Sequence, residues 1–158
     1  MNNSSEVESK GFIDIKIEDL KGTVSEYTVR NTVLRTGRYA LAKMITNNVP
    51  EARNLYVLRM LFGISGTSGG QPKVVNTNRT SLFGPIVSDK PVLAAIDNNN
   101  PTQAIFTSVL GYNDANGYSL SEMALLLNDD SFYSMATFGD LNKTNQIQIT
   151  FNWRINYI

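Results

Sequence analysis

The chain has few side chains that could carry out catalysis. Its 158 residues include no histidine and no cysteine, which excludes Ser-His-Asp and Cys-His triads, zinc sites built on either residue, and disulfides. Carboxylates remain, and the candidates are Glu122 and the adjacent Asp129 and Asp130, which could supply the acid and base of a glycosidase. Aspartates between strands more often form turns, because the side chain bonds its own backbone. We therefore expect a protein that is not an enzyme.

Two segments have a superficial likeness to binding motifs. Residues 63–73 (GISGTSGGQPK) are rich in glycine, but they lack the Gly-Lys-Ser/Thr sequence of a phosphate-binding loop, and no helix pattern follows them. Residues 114–122 carry oxygen-bearing side chains at a spacing similar to a calcium loop, without its length of about 12 residues or its flanking helices. We expect neither a cofactor nor a metal, and we interpret residues 114–122 as a hairpin turn.

The charge balance bears on possible partners. Fourteen basic and fourteen acidic residues give a formal net charge of zero, so general attraction to nucleic acid or to an anionic membrane is not expected. No apolar run approaches the roughly 18 residues of a membrane span, and the first residues do not resemble a signal peptide. We expect a protein made in the cytoplasm. Because little long-range repulsion keeps copies apart, the composition weakly favours self-association.

The N-terminal region is predicted to contain an arm and a strand. Residues 1–10 are small, polar and charged, which predicts a flexible arm, and residues 11–158 are predicted to form a single domain. Hydrophobic and polar residues alternate from Phe12 to Asp19, as in a half-buried strand. The sequence shows no obligatory partner for this strand, so with the arm it could join a neighbour's sheet edge. Its candidate contact residues are Phe12, Ile13, Ile15 and Ile17.

One helix is predicted at about residues 32–47. Apolar residues recur there at helical spacing, Asn31 or Thr32 could cap its start, and Pro50 follows its end. The other face carries three candidate contact residues, namely Arg35, Arg38 and Lys43. This face could be solvated, or it could contact an acidic neighbour or a phosphate. The zero net charge favours the solvated interpretation.

The rest of the chain reads as strands and loops. Residues 65–81 are predicted to form a flexible or contact loop, with the candidate contact residues Gly66, Gly69 and Gly70. Strands are predicted at residues 23–29 and 55–64, residues 82–87 and 90–96 are candidates for two further short strands, and strands are predicted at residues 102–112, 118–127, 131–138 and 146–157. The last four are joined by turn sequences typical of an antiparallel meander. Together they predict a mainly β protein, an antiparallel β-sandwich of about seven to eight strands with one packed α-helix.

Several short motifs follow one another along the chain. In order they are FGISGT (62–67), IFTSVL (105–110), NG (116–117), SEMAL (121–125), NDD (128–130), FYSMATF (132–138), Lys143 and FNWRI (151–155). This series resembles a domain of tailed-bacteriophage virion proteins found in tail, baseplate, neck and fibre-attachment regions. The resemblance extends over residues 23–158. Ala124 departs from it, because the family has glycine at that point of its Glu-containing strand.

The resemblance implies a virion structural protein that is assembled in the host cytoplasm. It implies a cyclic or trimeric homo-oligomer that contacts other virion proteins, has no small-molecule substrate and performs no catalysis. An alternative is a carbohydrate- or receptor-binding module of a fibre or baseplate, which would use the 66–81 loop and an aromatic platform. The platform residues would be Tyr112, Tyr118, Phe132 and Tyr133, although alternating aromatics in strands more often belong to the core. A carboxylate glycosidase is the third hypothesis.

Overall fold

The computed structural model describes residues 10–46 and 54–157. The expected mainly β, antiparallel fold with one helix is confirmed, but the expected seven to eight strands is wrong, because these residues form 12. Three of the additional strands, β3, β5 and β6, are only two residues long, too short for a periodic pattern. The elements are β1 (Lys10–Asp19), β2 (Val24–Arg30), β3 (Thr32–Val33), α1 (Arg35–Thr46), β4 (Val57–Gly63), β5 (Thr67–Ser68), β6 (Gln71–Pro72), β7 (Ile86–Pro91), β8 (Leu93–Asp97), β9 (Asn100–Leu110), β10 (Ser119–Leu127), β11 (Phe132–Asn142) and β12 (Ile147–Asn156).

Two five-stranded sheets form the body of the protein. The first sheet has the order β2-β1-β12-β9-β8 and the second sheet has the order β3-β11-β10-β4-β7. All their strand pairs are antiparallel. Their facing side chains make one core, in which the rings of Phe62 from β4 and Phe151 from β12 lie 4.7 Å apart. No helix among the described residues is long and apolar enough to cross a membrane.

The last strand follows its sequence pattern closely. Ile149, Phe151, Trp153 and Ile155 are fully buried, whereas the residues between them are half-buried on the opposite face of the first sheet. The predicted meander of the last four strands is wrong, however. β9 and β12 belong to the first sheet and β10 and β11 to the second. The chain therefore changes sheet between β9 and β10 and again between β11 and β12, so residues 114–122 are not a hairpin.

β1 is an interior strand, which corrects the prediction that it lacks a partner in its own chain. It pairs with β2 on one side and, over all ten of its residues, with β12 on the other. Ile13 lies opposite Trp153 and Ile15 opposite Phe151, and both isoleucines are fully buried. The strand therefore cannot join a neighbour's sheet without leaving its own. Residues 1–9 of the predicted arm lie outside the described residues.

The helix is confirmed, but it starts later than predicted. Thr32 belongs to β3 and pairs with Met135 of β11, and α1 begins only at Arg35, so neither Thr32 nor Asn31 caps the helix. A Cβ added to Gly37 would overlap the carbonyl oxygen of Tyr133. Glycine therefore lets the helix backbone approach β11 closely, which offsets its poor helix propensity.

A second, smaller core lies on the outer face of the second sheet. It joins outward-facing residues of that sheet, including Leu61, Leu126 and Met135, to Leu82 and the half-buried Phe83 of the connection before β7. The predicted flexible loop 65–81 therefore leads into a cover, and its first part forms the β5–β6 hairpin. The predicted strand at residues 82–87 is wrong, because only Ile86 and Val87 are in strand conformation.

Candidate functional site

The four contact residues predicted on β1 are mostly unavailable. Ile13 and Ile15 belong to the core, and Ile17 packs against it. Phe12 is half-buried on the outer face, with the guanidinium groups of Arg30 and Arg154 5.8 and 5.9 Å from its ring centroid. The pattern that marked these residues as a contact strand was the pattern of an interior strand.

The basic face of the helix is exposed. Arg35, Arg38 and Lys43 all lie on the surface, as the solvated interpretation predicts. Arg35 lies 5.7 Å from the ring centroid of Tyr39, and its Nη1 donates to Asn78 Oδ1 at 3.5 Å. Two helical turns further on, Lys43 lines a small pocket of about 90 Å³ together with Asp129. Arg35 and Lys43 thus lie beside groups of their own chain, and nothing in the geometry of this face selects a phosphate.

The three candidate glycines have different roles. Gly66 is buried against β10, where an added Cβ would overlap the carbonyl oxygen of Ser121, and its N–H donates to Ser121 Oγ at 2.8 Å. Gly69 and Gly70 have φ values of +57° and +78° and form the two-residue turn between β5 and β6. Positive φ at both positions is the geometry of a type I′ turn, which favours glycine. Only Gly69 and Gly70 are exposed for contact.

Glu122 is a structural carboxylate. It is fully buried on β10. Its Oε1 accepts hydrogen bonds from the N–H groups of Ser65 and Gly84 at 3.1 Å each, and its Oε2 accepts one from the N–H of Phe83 at 2.7 Å. Three backbone donors compensate for removing the carboxylate from water. Glu122 thereby fastens both ends of the 65–84 segment to the second sheet.

The other predicted carboxylates do not combine with Glu122. Asp129 Oδ1 accepts bonds from the N–H and the hydroxyl of Ser131 in the turn after β10. From Glu122 to Leu127, at the end of β10, the strand rises by roughly 17 Å. The two carboxyl groups of a glycosidase lie about 5 to 9.5 Å apart. Glu122 and Asp129 therefore cannot act as such a pair.

The calcium-like segment is held by a lysine. Lys143 is 1% exposed, and its Nζ donates to Asn116 Oδ1 at 2.8 Å and to the Thr144 carbonyl at 2.9 Å. Burial lowers the pKa of Lys143, and the nearby charge of Asp114 partly opposes that shift. Asp114 pairs with Lys90 at 2.7 Å, and this bond lowers the pKa of Asp114. Asn116 and Asp114, which would have to bind a calcium ion, are therefore already bonded to lysine side chains.

The aromatic platform does not form as a group of four. Phe132 and Tyr133 are 8% and 2% exposed and belong to the two cores. The Tyr133 hydroxyl lies 2.8 Å from that of Tyr157, and burial raises the pKa of Tyr133. Tyr118 is exposed and Tyr112 is half-buried. Any contact with a sugar through this region would use these two tyrosines.

A surface that the sequence did not disclose lies along β8. Leu93 is 75% exposed and Ile96 is 61% exposed, and the two alanines between them are exposed as well. Ala94 and Ile96 lie opposite Phe106 and Ala104 of β9, so they share the face that elsewhere forms the core. An open apolar groove of about 280 Å³ runs along them. The available sequence signal was a strand, LAAI, that is apolar at four successive positions.

Comparison with protein-family models, with curated proteins and with solved structures found no match. Function is therefore inferred from the surfaces of this chain and from the resemblance of its motifs to the phage virion domain.

Proposed function

We propose that this protein is a structural component of a tailed-phage virion, from the tail, baseplate, neck or fibre-attachment region. It acts by contacting copies of itself and other virion proteins, without catalysis. The observation that carries the proposal is β8, an edge strand with apolar side chains exposed on both faces. Such an edge is a template for pairing with another chain, and soluble monomers usually protect it.

The fold agrees with the resemblance that led to the proposal. Two antiparallel sheets with one shared core are the arrangement of a β-sandwich. Ser121 and Glu122, from the motif SEMAL, both bind the backbone of the 65–84 segment, so the motif has a structural role in this chain. Ala124 stands where the family has glycine, and its methyl group is fully buried in the second core. The departure is therefore compatible with the packing.

The direct test is the composition of phage particles. Particles released by the strain that encodes this chain would be purified by density gradient and analysed by quantitative mass spectrometry. We expect peptides of the chain in several copies per particle, at a constant ratio to the other virion proteins. Finding the chain in the lysate but not in intact particles would contradict the proposal.

A carbohydrate- or receptor-binding role is the second candidate. Tyr118 is 43% exposed, and exposed aromatic rings can stack on sugars. The β5–β6 hairpin with its glycine tip lies near the same end of the second sheet, because Thr67 Oγ1 bonds Asp140 and Asn142 pairs with Ser119 next to Tyr118. A glycan array probed with the wild type and with Tyr118→Ala tests this role. Binding that is lost in the variant would support it, and no binding by the wild type would remove it.

A further inference from the structure

We infer that the β8 edge pairs with β8 of a second copy of this chain, in antiparallel orientation about a twofold axis. The two copies would then share a continuous sheet of ten strands, five from each. This inference rests on the proposed function in one respect, namely that the protein assembles with itself. It adds the surface and the symmetry of that assembly.

The chemistry of β8 sets it apart from the other sheet edges. In the part of the chain that the structure describes, no strand pairs with its outer side, and Leu93, Ala94, Ala95 and Ile96 carry no charge. The opposite edge of the first sheet, β2, carries Glu26 and Arg30 on its surface.

The edges of the second sheet are protected in other ways. β3 has only two residues, and β7 ends in Asp89, Lys90 and Pro91, with Asp89 paired to Arg59. Charge, proline and short length are the usual means by which edge strands avoid pairing. β8 has none of them before Asp97.

Strand direction decides in favour of β8 of the second copy rather than β2. The first sheet contains four successive antiparallel pairs, so β2 and β8 run in the same direction. A ring formed by rotation about an axis along the strands would place β8 beside β2 of the next copy as a parallel pair. A twofold axis perpendicular to the sheet places β8 antiparallel to β8, like the other pairs in this protein. Such an interface is isologous and closes at two copies.

The residue sequence of β8 is complementary to itself in this arrangement. Antiparallel pairing centred on Ala95 sets Ala94 opposite Ile96 of the second copy, and Ala95 opposite Ala95. A small side chain then faces a large one on the inner face. Ile96 of the second copy would enter the groove lined by Ala94, Ala104 and Phe106. No like charges face each other, because the nearest charged side chain, Asp97, lies opposite Leu93 of the second copy.

The contact is short, which predicts a weak dimer. Five residues of extended chain span about 17 Å, and a single strand pair of that length covers less than the roughly 800 Å² per partner of a stable complex. We expect dimers only at high protein concentration. In a particle, other contacts would hold the copies together and raise their effective concentration.

The test uses charge at the twofold axis. Ala95→Lys and Ala95→Glu would each place two like charges opposite each other, so each variant alone should sediment as a monomer at concentrations where the wild type forms dimers. An equimolar mixture should restore dimers, all of them heterodimers. The matched controls are Ser25→Lys and Ser25→Glu on the exposed edge β2, which should dimerise like the wild type. Circular dichroism melts of every variant verify folding.

A second measurement fixes the register. The chain has no cysteine, so Ala95→Cys introduces one thiol, and opposed residues of an antiparallel pair lie within disulfide range. We expect mild oxidation to give a covalent dimer for Ala95→Cys and not for Ser25→Cys.

If the wild type associates but neither the charged variants nor the cysteine variant behaves as stated, the inference is overturned and the proposed self-assembly uses another surface. A wild type that stays monomeric at the highest concentration overturns the inference and the self-association part of the proposed function, while particle mass spectrometry still decides the virion assignment.

Discussion

The two five-stranded sheets share one core but differ in how their other faces are completed. The outer face of the second sheet is apolar, and the chain covers it with Leu82 and Phe83, held down by Glu122. The outer face of the first sheet is polar along β1 and β12, where Arg154 makes two hydrogen bonds to Asp14. At β8 the exposed side chains are apolar, and none of the residues within 10–46 and 54–157 covers them. This difference between a covered face and an exposed apolar strand is the reason for the proposed pairing of β8 with another chain.

The largest expected effect comes from releasing the cover of the second sheet. In Glu122→Gln the side chain keeps its size, but it loses its charge and one acceptor oxygen, so at least one buried N–H loses its partner. We expect the free energy of unfolding to fall by about 3 kcal/mol, measured by urea denaturation. The control, Glu26→Gln on exposed β2, should change it by less than about 0.5 kcal/mol. Equal effects for the two variants would mean that the cover contributes little.

A smaller loss of stability is expected where the 65–84 segment approaches β10. Gly66→Ala would force the backbone away from Ser121, and overpacking of this kind costs about 2 kcal/mol. Gly139→Ala is the matched control, because a Cβ at Gly139 meets no atom within 4 Å. Thermal melts of the two variants give the comparison. A Gly66→Ala variant as stable as Gly139→Ala would show that the segment can shift without loss.

The polar face of the first sheet should matter less. Asp14→Asn removes an ion pair whose side chains are 20% and 34% exposed, and a partly exposed pair contributes about 1 kcal/mol or less. Urea denaturation at low and high salt should show a loss that shrinks as salt screens the wild-type pair. Glu18→Gln, on the same strand, serves as the control. A loss as large as that of Glu122→Gln would erase the distinction between the two sheets.

The smallest effect on stability is expected at β8. Ile96→Thr keeps a branched side chain but makes it polar. Because Ile96 is 61% exposed, the free energy of unfolding of the dilute protein should change by about 0.5 kcal/mol or less. Sedimentation at high concentration should nevertheless show fewer dimers than for the wild type. A large loss of stability without a change in association would make β8 part of the folded core instead of a contact surface.

The sequence predicted the positions of the strands better than it predicted which strands pair with one another. The alternation that identified β12 gave its buried face correctly, and β1 was found with its end at Asp19. Their pairing could not be predicted, because it joins distant parts of the chain and each strand alone looks equally able to pair elsewhere. For the same reason, the strands of the predicted meander were found while their division between two sheets was not.

The candidate surfaces were predicted less well. Residues 65–81 are polar enough to be interpreted as a free loop, but they lead into the cover of the second sheet. The need for that cover follows from β10, where both faces of the strand are apolar at Met123, Ala124, Leu125 and Leu126. A strand with two apolar faces needs cover on both sides. β8 has the same run of apolar residues, but in the described part of the chain its side chains are exposed, and only the structure distinguishes the two strands. Arg35, Arg38 and Lys43 were placed on the surface correctly, because helical spacing is a local property.

The pairing of β1 with β12 also affects the order in which the two sheets can fold during synthesis. Residues 20–146 separate the two strands, so at roughly 5 to 20 residues per second a ribosome needs on the order of ten seconds to supply the partner of β1. During that interval β2 is the one described strand available to pair with β1, and a lone two-stranded hairpin is marginal in water. All five strands of the second sheet emerge before β12 does. We therefore expect the second sheet to fold first and to serve as the platform on which the first sheet, and with it the β8 edge, is completed.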